Sequence, residues 1–266
     1  MTTPEPPKAP WQDLLNDHLS QSSSSEFTLA TAAYDATKKR HVPRARVCGF
    51  RGFFPNPQLH PSAVDALKTQ GDGINPDVYE SDMFSFTTDV RMEKTGHIQP
   101  GSSGSDAGNE VEMVFWLKDV ESQWRIKGIA FVIGDQDGGG VEDKAREGIQ
   151  KGLRVRSEDG RGEWTWERQV TTYFANHTPI LRGSFKCPPP GQPKSQVPED
   201  LSLKPGQEVE GLHDPAARKN FRVVVVRPQE VEWLDLSDYK NPARWTWTLT
   251  EDGKQPGRWE EAELWP

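Results

Sequence analysis

The sequence predicts a mainly β, α+β fold: a β-barrel with peripheral helices and long loops. Three observations predict it. Apolar runs with a period of two, or with no polar interruption at all, recur from residue 26 to the last residues. Helical spacing occurs only between and beside those runs. The connections are rich in turn formers, with 22 Pro and 23 Gly in 266 residues. Hydrophobic residues make up only 33% and mean hydropathy is −0.78, yet 10 Trp and 11 Phe supply the bulk for a core.

The elements follow in order. After a Pro-rich leader, expected to be disordered over residues 1–9, "APWQDLLNDHLSQ" carries Trp11, Leu14, Leu15 and Leu19 at helical spacing. An amphipathic helix follows from that. "SEFTLATAAYD" places Phe27, Leu29 and Thr31 on one side, polar "DATKKRHVP" turns the chain, and "VPRARVCGFRGFF" returns, an antiparallel pair. "PSAVDALKTQG" is a short helical candidate ended by Gly71; "MFSFTTD" is a strand, and "VRMEKTGHIQP" a short helix stopped by Pro100. "VEMVFWLKD" and "SQWRIKGIAFVIG" are strong strands around a short turn, and "VEDKAREGIQKGL" is a helix. "WTWERQVTTYFANHTPILRGSF" reads as a helix with a break at Pro179, and "FRVVVVRPQEVEWLDL", "RWTWTLTED" and "GRWEEAELWP" return the chain to β. Six or seven strands are expected, in one domain over residues 1–266, with flexible loops at 99–110 and 186–211.

Charge and cysteine content narrow the function. A formal net charge of −8 argues against a duplex nucleic-acid binder, since phosphate backbones are held by basic faces. Two cysteines, Cys48 and Cys187, are too few for a disulfide scaffold or a structural zinc site. No apolar run reaches the length of a membrane span and the first residues hold no apolar signal core, so a cytoplasmic location is expected.

The charged strand "VPRARVCGFRGFF" carries the functional argument. Arg44 and Arg46 share one face and Arg51 takes the other. One reading makes them a solvent face; another pairs Arg46 and the later Lys94 with carboxylates such as Glu112 or Asp89. A third gives the guanidinium a bound phosphate, which matches its bidentate fork.

Four segments in order resemble the pyridoxamine 5'-phosphate oxidase-like FMN-binding split-barrel family, over about Trp11 to Pro266. The first is Arg46 with a basic residue five positions on, Arg51, in place of the family's Lys near the flavin ring. The second is "FTTDVRMEK", with Phe86, Thr87, Thr88 and, six residues beyond, Lys94. The third is "QWRIKG", with Gln123 and Gly128, and the fourth "FRVVVVRPQEVEWLDL" followed by "RWTW", with Arg244. The closing "W....LWP" agrees.

The resemblance implies an FMN-binding split β-barrel and a cofactor site made of Arg46, Arg51, Thr87, Thr88, Lys94, Gln123 and Arg244. Arg46 and Lys94 hold the phosphate, Thr88 donates a hydroxyl, and Gln123 comes from the neighbouring subunit of a homodimer. Arg46 and Arg51 differ in parity, so a bulge at Gly49 is expected to let both reach one ligand. The chain departs from the family where the vitamin B6 oxidases carry a substrate-binding Arg and His: Lys240 and Pro242 stand there. Arg218 replaces an expected Trp and Glu93 an expected Arg. An FMN-dependent oxidoreductase acting on another small molecule is the expectation, with a non-catalytic flavin binder as the alternative.

Other candidates are weaker. His97 near Lys94 is read as a surface residue, "GDQDGGGVED" as a loop lacking the closing Glu of a Ca²⁺ site, and "NHT" at Asn176 as a glycosylation acceptor only in a secreted chain. Cys48 is read as a small buried hydrophobe.

Overall fold

The computed structural model describes residues 5–98, 109–135, 140–250 and 257–266. In chain order it contains α1 (Gln12–Gln21), β1 (Glu26–Asp35), β2 (Arg40–Gly49), α2 (Pro61–Thr69), β3 (Tyr79–Glu80), β4 (Phe84–Asp89), α3 (Glu93–Ile98), β5 (Asn109–Leu117) and β6 (Ser122–Ile133). There follow α4 (Gly140–Gln150), β7 (Arg154–Val155), α5 (Trp166–Ala175), α6 (Pro179–Ser184), α7 (Pro215–Asn220), β8 (Phe221–Asp235), β9 (Ala243–Thr250) and β10 (Arg258–Leu264).

Eight strands form one antiparallel sheet in the order β10-β9-β8-β6-β5-β1-β2, with β4 added to β8. The fold class is as expected, α+β with a barrel-like sheet. The described strands number ten against the six or seven expected: eight in this sheet, and β3 and β7 in a separate two-stranded ribbon too short to leave a period in the sequence. The helix α7, to which the sequence reading assigned no element, is capped by Asp214, whose side chain accepts from Ala217 N, with Pro215 at the first helical position. The break at Pro179 is real: Thr178 caps a new helix, α6, and Asn176–His177 becomes the corner between α5 and α6.

The unbroken run of "FRVVVV" in β8 is explained by burial on both faces. Val224 and Val226 enter a cluster with Phe27, Leu29, Phe84, Phe86, Phe115, Trp124 and Trp247, the barrel interior. Val223 and Val225 enter a second cluster with Phe131, Ile133, Tyr173 and Phe174, where α2, α4 and α5 cover the outer face. Trp11 of the N-terminal segment plugs the barrel, stacked on Phe84 at 5.6 Å.

The sheet is not closed. Beyond Gly49 the chain leaves β1, and Arg51 N donates to Ser85 O (2.9 Å), Ser85 N to Gly52 O (3.1 Å) and Phe54 N to Met83 O (2.8 Å). Segment 51–54 therefore meets the start of β4, while β2 and the end of β4 form no ladder among the described residues. This split separates Arg46 from Thr88. No bulge lies at Gly49, contrary to expectation, because β1 and β2 stay in register through Glu26↔Gly49. The shift lies between Lys127 and Gly128 of β6, whose partners on β8 are Glu230 and Pro228. It marks the point where the outer face passes from open (Gln123, Arg125) to helix-covered (Phe131, Ile133).

Part of the expected leader is docked: Ala9 N donates to Asp82 Oδ2 (2.9 Å), Arg154 Nη1 to Pro7 O (3.4 Å) and Val155 N to Glu5 Oε1 (3.0 Å). Residues 186–211 form turns without helix or strand, and Gln207 Nε2 donates to the carbonyls of Lys186, Ser202 and Lys204. Most of the loop expected at 99–110, and the center of "GDQDGGGVED", lie outside the described residues.

Candidate functional site

The split holds two cations with neutral partners, Lys94 buried and Arg46 half-buried. Arg46 lies opposite Leu29 in the β1–β2 register, so its side chain points to the interior side of the sheet. Its Nη1 donates to Thr31 Oγ1 (2.8 Å), Leu29 O (3.2 Å) and Arg44 O (3.3 Å). Lys94, only 7% exposed, is carried there by α3, and its Nζ donates to Thr88 Oγ1 (3.1 Å) and Met92 Sδ (2.9 Å). The carboxylates that sequence offered as partners are engaged elsewhere: Asp89 with Arg91 (2.6 Å) and Glu112 with Arg125 (2.6 Å). Among the described residues no carboxylate lies within ion-pair distance of Arg46 or Lys94.

The electrostatics agree with that geometry. Burial lowers the Lys94 pKa, with Arg46 adding to it, and Cys48 and Asp89 oppose. Burial raises the Cys48 pKa, while Lys94 and Arg46 pull it down. His97, expected to be a bystander, joins the group: Thr31 Oγ1, which accepts from Arg46, also lies 3.0 Å from His97 Nδ1. Burial and then Arg46 lower the His97 pKa. A buried ammonium held only by a hydroxyl and a thioether is incompletely solvated, and a small oxyanion is the group that would complete it.

Arg51 and Thr87 belong to a second group. Thr87 Oγ1 lies 2.9 Å from His177 Nε2, and Arg51 Nη2 lies 3.4 Å from the same nitrogen. His177 is 8% exposed and its Nδ1 is 2.9 Å from Tyr173 O. Tyr173 in turn donates to Ser85 Oγ (2.8 Å), tying α5 to β4. Burial, then Arg51, pushes the His177 pKa down to about 4, so the ring is neutral at pH 7. Arg51 and His177 line a cleft of about 1310 Å³ together with residues of the N-terminal segment and the 50–62 loop. Arg46, Thr88 and Lys94 do not line it, so this cleft is beside the first group rather than in it.

Sequence reading missed His177, noting only its neighbour Asn176 as a modification motif. The available signal was Asn-His-Thr-Pro, a helix end followed by an N-cap and Pro, which presents the His at a corner. Asn176 pins that corner to the 50–62 loop through Gln58 O (2.8 Å) and His60 N (2.9 Å).

Gln123 and Arg244 lie apart from both groups. Both face Leu234 across the β6–β8–β9 register, in one row on the open outer face. Arg244 Nε is 3.9 Å from Glu232 Oε1, which Arg125 also approaches at 3.5 Å. Within one chain, Arg46 is on the interior side of the sheet and this row is on the other. Arg218, at the position of the missing Trp, is structural: it pairs with Asp135 and lies over the Phe174 ring at 5.1 Å.

Comparison with known proteins bears on the fold and on the N-terminal half of the chain. Residues 8–134 match the family model described as pyridoxamine 5'-phosphate oxidase, FMN-binding domain. Over 101 residues the chain is 27% identical to an uncharacterized protein of Saccharomyces cerevisiae, covering 38% of this chain and 34% of that protein. The match thus spans about a third of that relative's length. A pyridoxamine 5'-phosphate oxidase-related, FMN-binding protein from Nostoc punctiforme has a TM-score of 0.57 at 17% identity, over 100% of both chains. PhzG from Burkholderia lata, solved with tetrahydrophenazine-1-carboxylic acid, has a TM-score of 0.50 at 13% identity, over 100% of this chain and 98% of that one. At these identities the structural likeness is one of fold.

Proposed function

We propose that this chain, whose residues 8–134 match the FMN-binding domain model of the pyridoxamine 5'-phosphate oxidase family, is an FMN-dependent oxidoreductase acting on a small molecule. The observation that carries the reading is the pair Arg46 and Lys94, drawn into the split with only neutral partners. Arg46, Lys94 and the Thr88 hydroxyl would hold the phosphate, and Arg51 with Thr87 would meet the cofactor at its ring end. Bound FMN would supply hydride chemistry. The protein's part is to neutralise the phosphate and fix the ring.

A homodimer is part of the reading. Gln123 and Arg244 contact the ring in the family this domain matches, yet they stand on the opposite face of the sheet from Arg46. A ligand meeting both faces would touch two copies. The outer face also exposes Val47 (65%) and Trp116 (50%), which a second copy would cover. Sedimentation at micromolar protein should give a dimer, and Trp116→Glu a monomer; a wild-type monomer in the presence of FMN would remove this part.

Lys240 and Pro242, in place of the B6 oxidases' substrate pair, favour a substrate other than pyridoxamine phosphate and keep a non-catalytic flavin binder as the second reading. Both cysteines are free thiols, in keeping with a reducing, cytoplasmic location. Among the described residues no helix is long and apolar enough to cross a membrane.

The test is titration of the purified chain with FMN, followed by flavin fluorescence and the visible flavin band. Saturable binding that Arg46→Ala and Lys94→Ala both weaken supports the reading. No binding at micromolar FMN removes it. Bleaching of the bound flavin by NADH or NADPH without oxygen separates enzyme from binder.

A further inference from the structure

The two adjacent threonines of β4 carry opposite hydrogen-bond polarity, and His177 is the cause for one of them. Lys94 Nζ can only donate, so Thr88 Oγ1 accepts from it at 3.1 Å, and the hydroxyl's own proton is turned to Asp89 O (3.4 Å) or Met92 Sδ (3.6 Å). Thr87 is set the other way. A carbonyl only accepts, so His177 Nδ1, 2.9 Å from Tyr173 O, bears the ring's proton. The neutral ring then offers Nε2 as a bare acceptor, and Thr87 Oγ1, 2.9 Å away, must give its proton to it. The ring cannot turn to exchange its nitrogens freely, because it sits edge-on to Phe185 (6.0 Å) and Phe221 (5.6 Å). Thr87 is left with lone pairs only, beside the donor Arg51.

We propose that His177 is a positioning residue that makes the Thr87–Arg51 station selective for a group carrying an N–H donor beside a carbonyl acceptor, the edge of an amide or imide ring, rather than for a phosphate. The inference rests on the flavin reading, since the pyrimidine edge of a flavin is such a group. Thr87 accepts from the ring N–H, Arg51 donates to the carbonyl, and the oxyanion stays with Arg46, Thr88 and Lys94 on the other face of β4. A phosphate, which offers acceptors only, gains nothing from a Thr87 whose proton is committed.

The experiment compares FMN with riboflavin, which has the ring but no phosphate, on the full chain. His177→Phe keeps a flat ring between Phe185 and Phe221 but has no acceptor; His177→Gln restores an acceptor oxygen near the position of Nε2. The expected result is a loss of about tenfold in affinity for both flavins in His177→Phe, recovery to within about threefold in His177→Gln, and a loss confined to FMN in Lys94→Ala. Thr87→Val should copy His177→Phe with less perturbation of the α5–α6 corner. Equal losses in the Phe and Gln variants with Thr87→Val unaffected would reduce His177 to packing and overturn the proposal. So would a His177→Phe loss seen for FMN and not for riboflavin, no loss in any of these variants, or a wild type that binds FMN but not riboflavin. Failure of the wild type to bind FMN at all would instead remove the flavin reading beneath it.

Discussion

Thr87 and Thr88 are neighbours in sequence and face opposite sides of β4: Thr87 Oγ1 meets His177 Nε2 at 2.9 Å, and Thr88 Oγ1 meets Lys94 Nζ at 3.1 Å. Strand alternation alone produces this division. With the β6–β8–β9 register it separates the seven residues that resemblance grouped into one cofactor site into a cation pair with Thr88, a cleft-side station and an outer-face row.

The cation pair should dominate flavin affinity. Each of Arg46→Ala and Lys94→Ala removes a charge-assisted hydrogen bond worth about 1.5–3 kcal/mol, so FMN affinity should fall about tenfold to hundredfold in each. Thr88→Val removes a neutral one, and a loss of about three- to tenfold is expected. Fluorescence titration reads all three, and a Thr88→Val effect larger than Lys94→Ala would contradict the arrangement.

Stability should fall with acid through His177. Its pKa is about 4 in the fold, lowered by burial, then Arg51, with Arg182 acting in the same direction and the Tyr173 carbonyl opposing. The unfolded chain takes up that proton near its ordinary value of about 6.5, and the folded chain resists it. This contribution is therefore complete above about pH 6.5 and is lost as pH falls toward 4, to a limit of about 3 kcal/mol. Melting temperatures of wild type and His177→Phe between pH 7.5 and 5 should converge as pH drops; parallel curves would show that the imidazole does not titrate in this way.

Arg154 anchors the N-terminal segment through a buried pair. Its Nη1 donates to Asp82 Oδ2 (2.6 Å) and Nη2 to Oδ1 (2.8 Å), and Asp82 also accepts from Ala9 N. Arg154→Met leaves the Asp82 carboxylate buried without its cation, a change that costs about 3–5 kcal/mol. Chemical denaturation should show that loss, and limited proteolysis should cut residues before α1 faster than in the wild type.

Gly128 occupies the register shift of β6, where an added Cβ would run into the Arg227 carbonyl of β8. Backbone on the far side cannot rotate away, so Gly128→Ala should cost about 1–3 kcal/mol, like overpacking elsewhere in a core. An unchanged denaturation midpoint would mean that the bulge shifts to accommodate the methyl.

The sequence by itself determined the β8 and β6 strands and the helices α1, α2, α4 and α5, because periodicity and capping act over a few residues. Family spacing added the chemistry of Arg46 and Lys94. Only the tertiary structure decided their partners: Asp89 and Glu112 are taken by Arg91 and Arg125, and Arg51 meets a histidine 126 positions away. Those choices follow from which strands pair, in what register, and from where the α5–α6 corner lands on β4. Pairing and packing are settled by all the apolar surfaces at once, so no local pattern around Arg51 could name His177 as its neighbour.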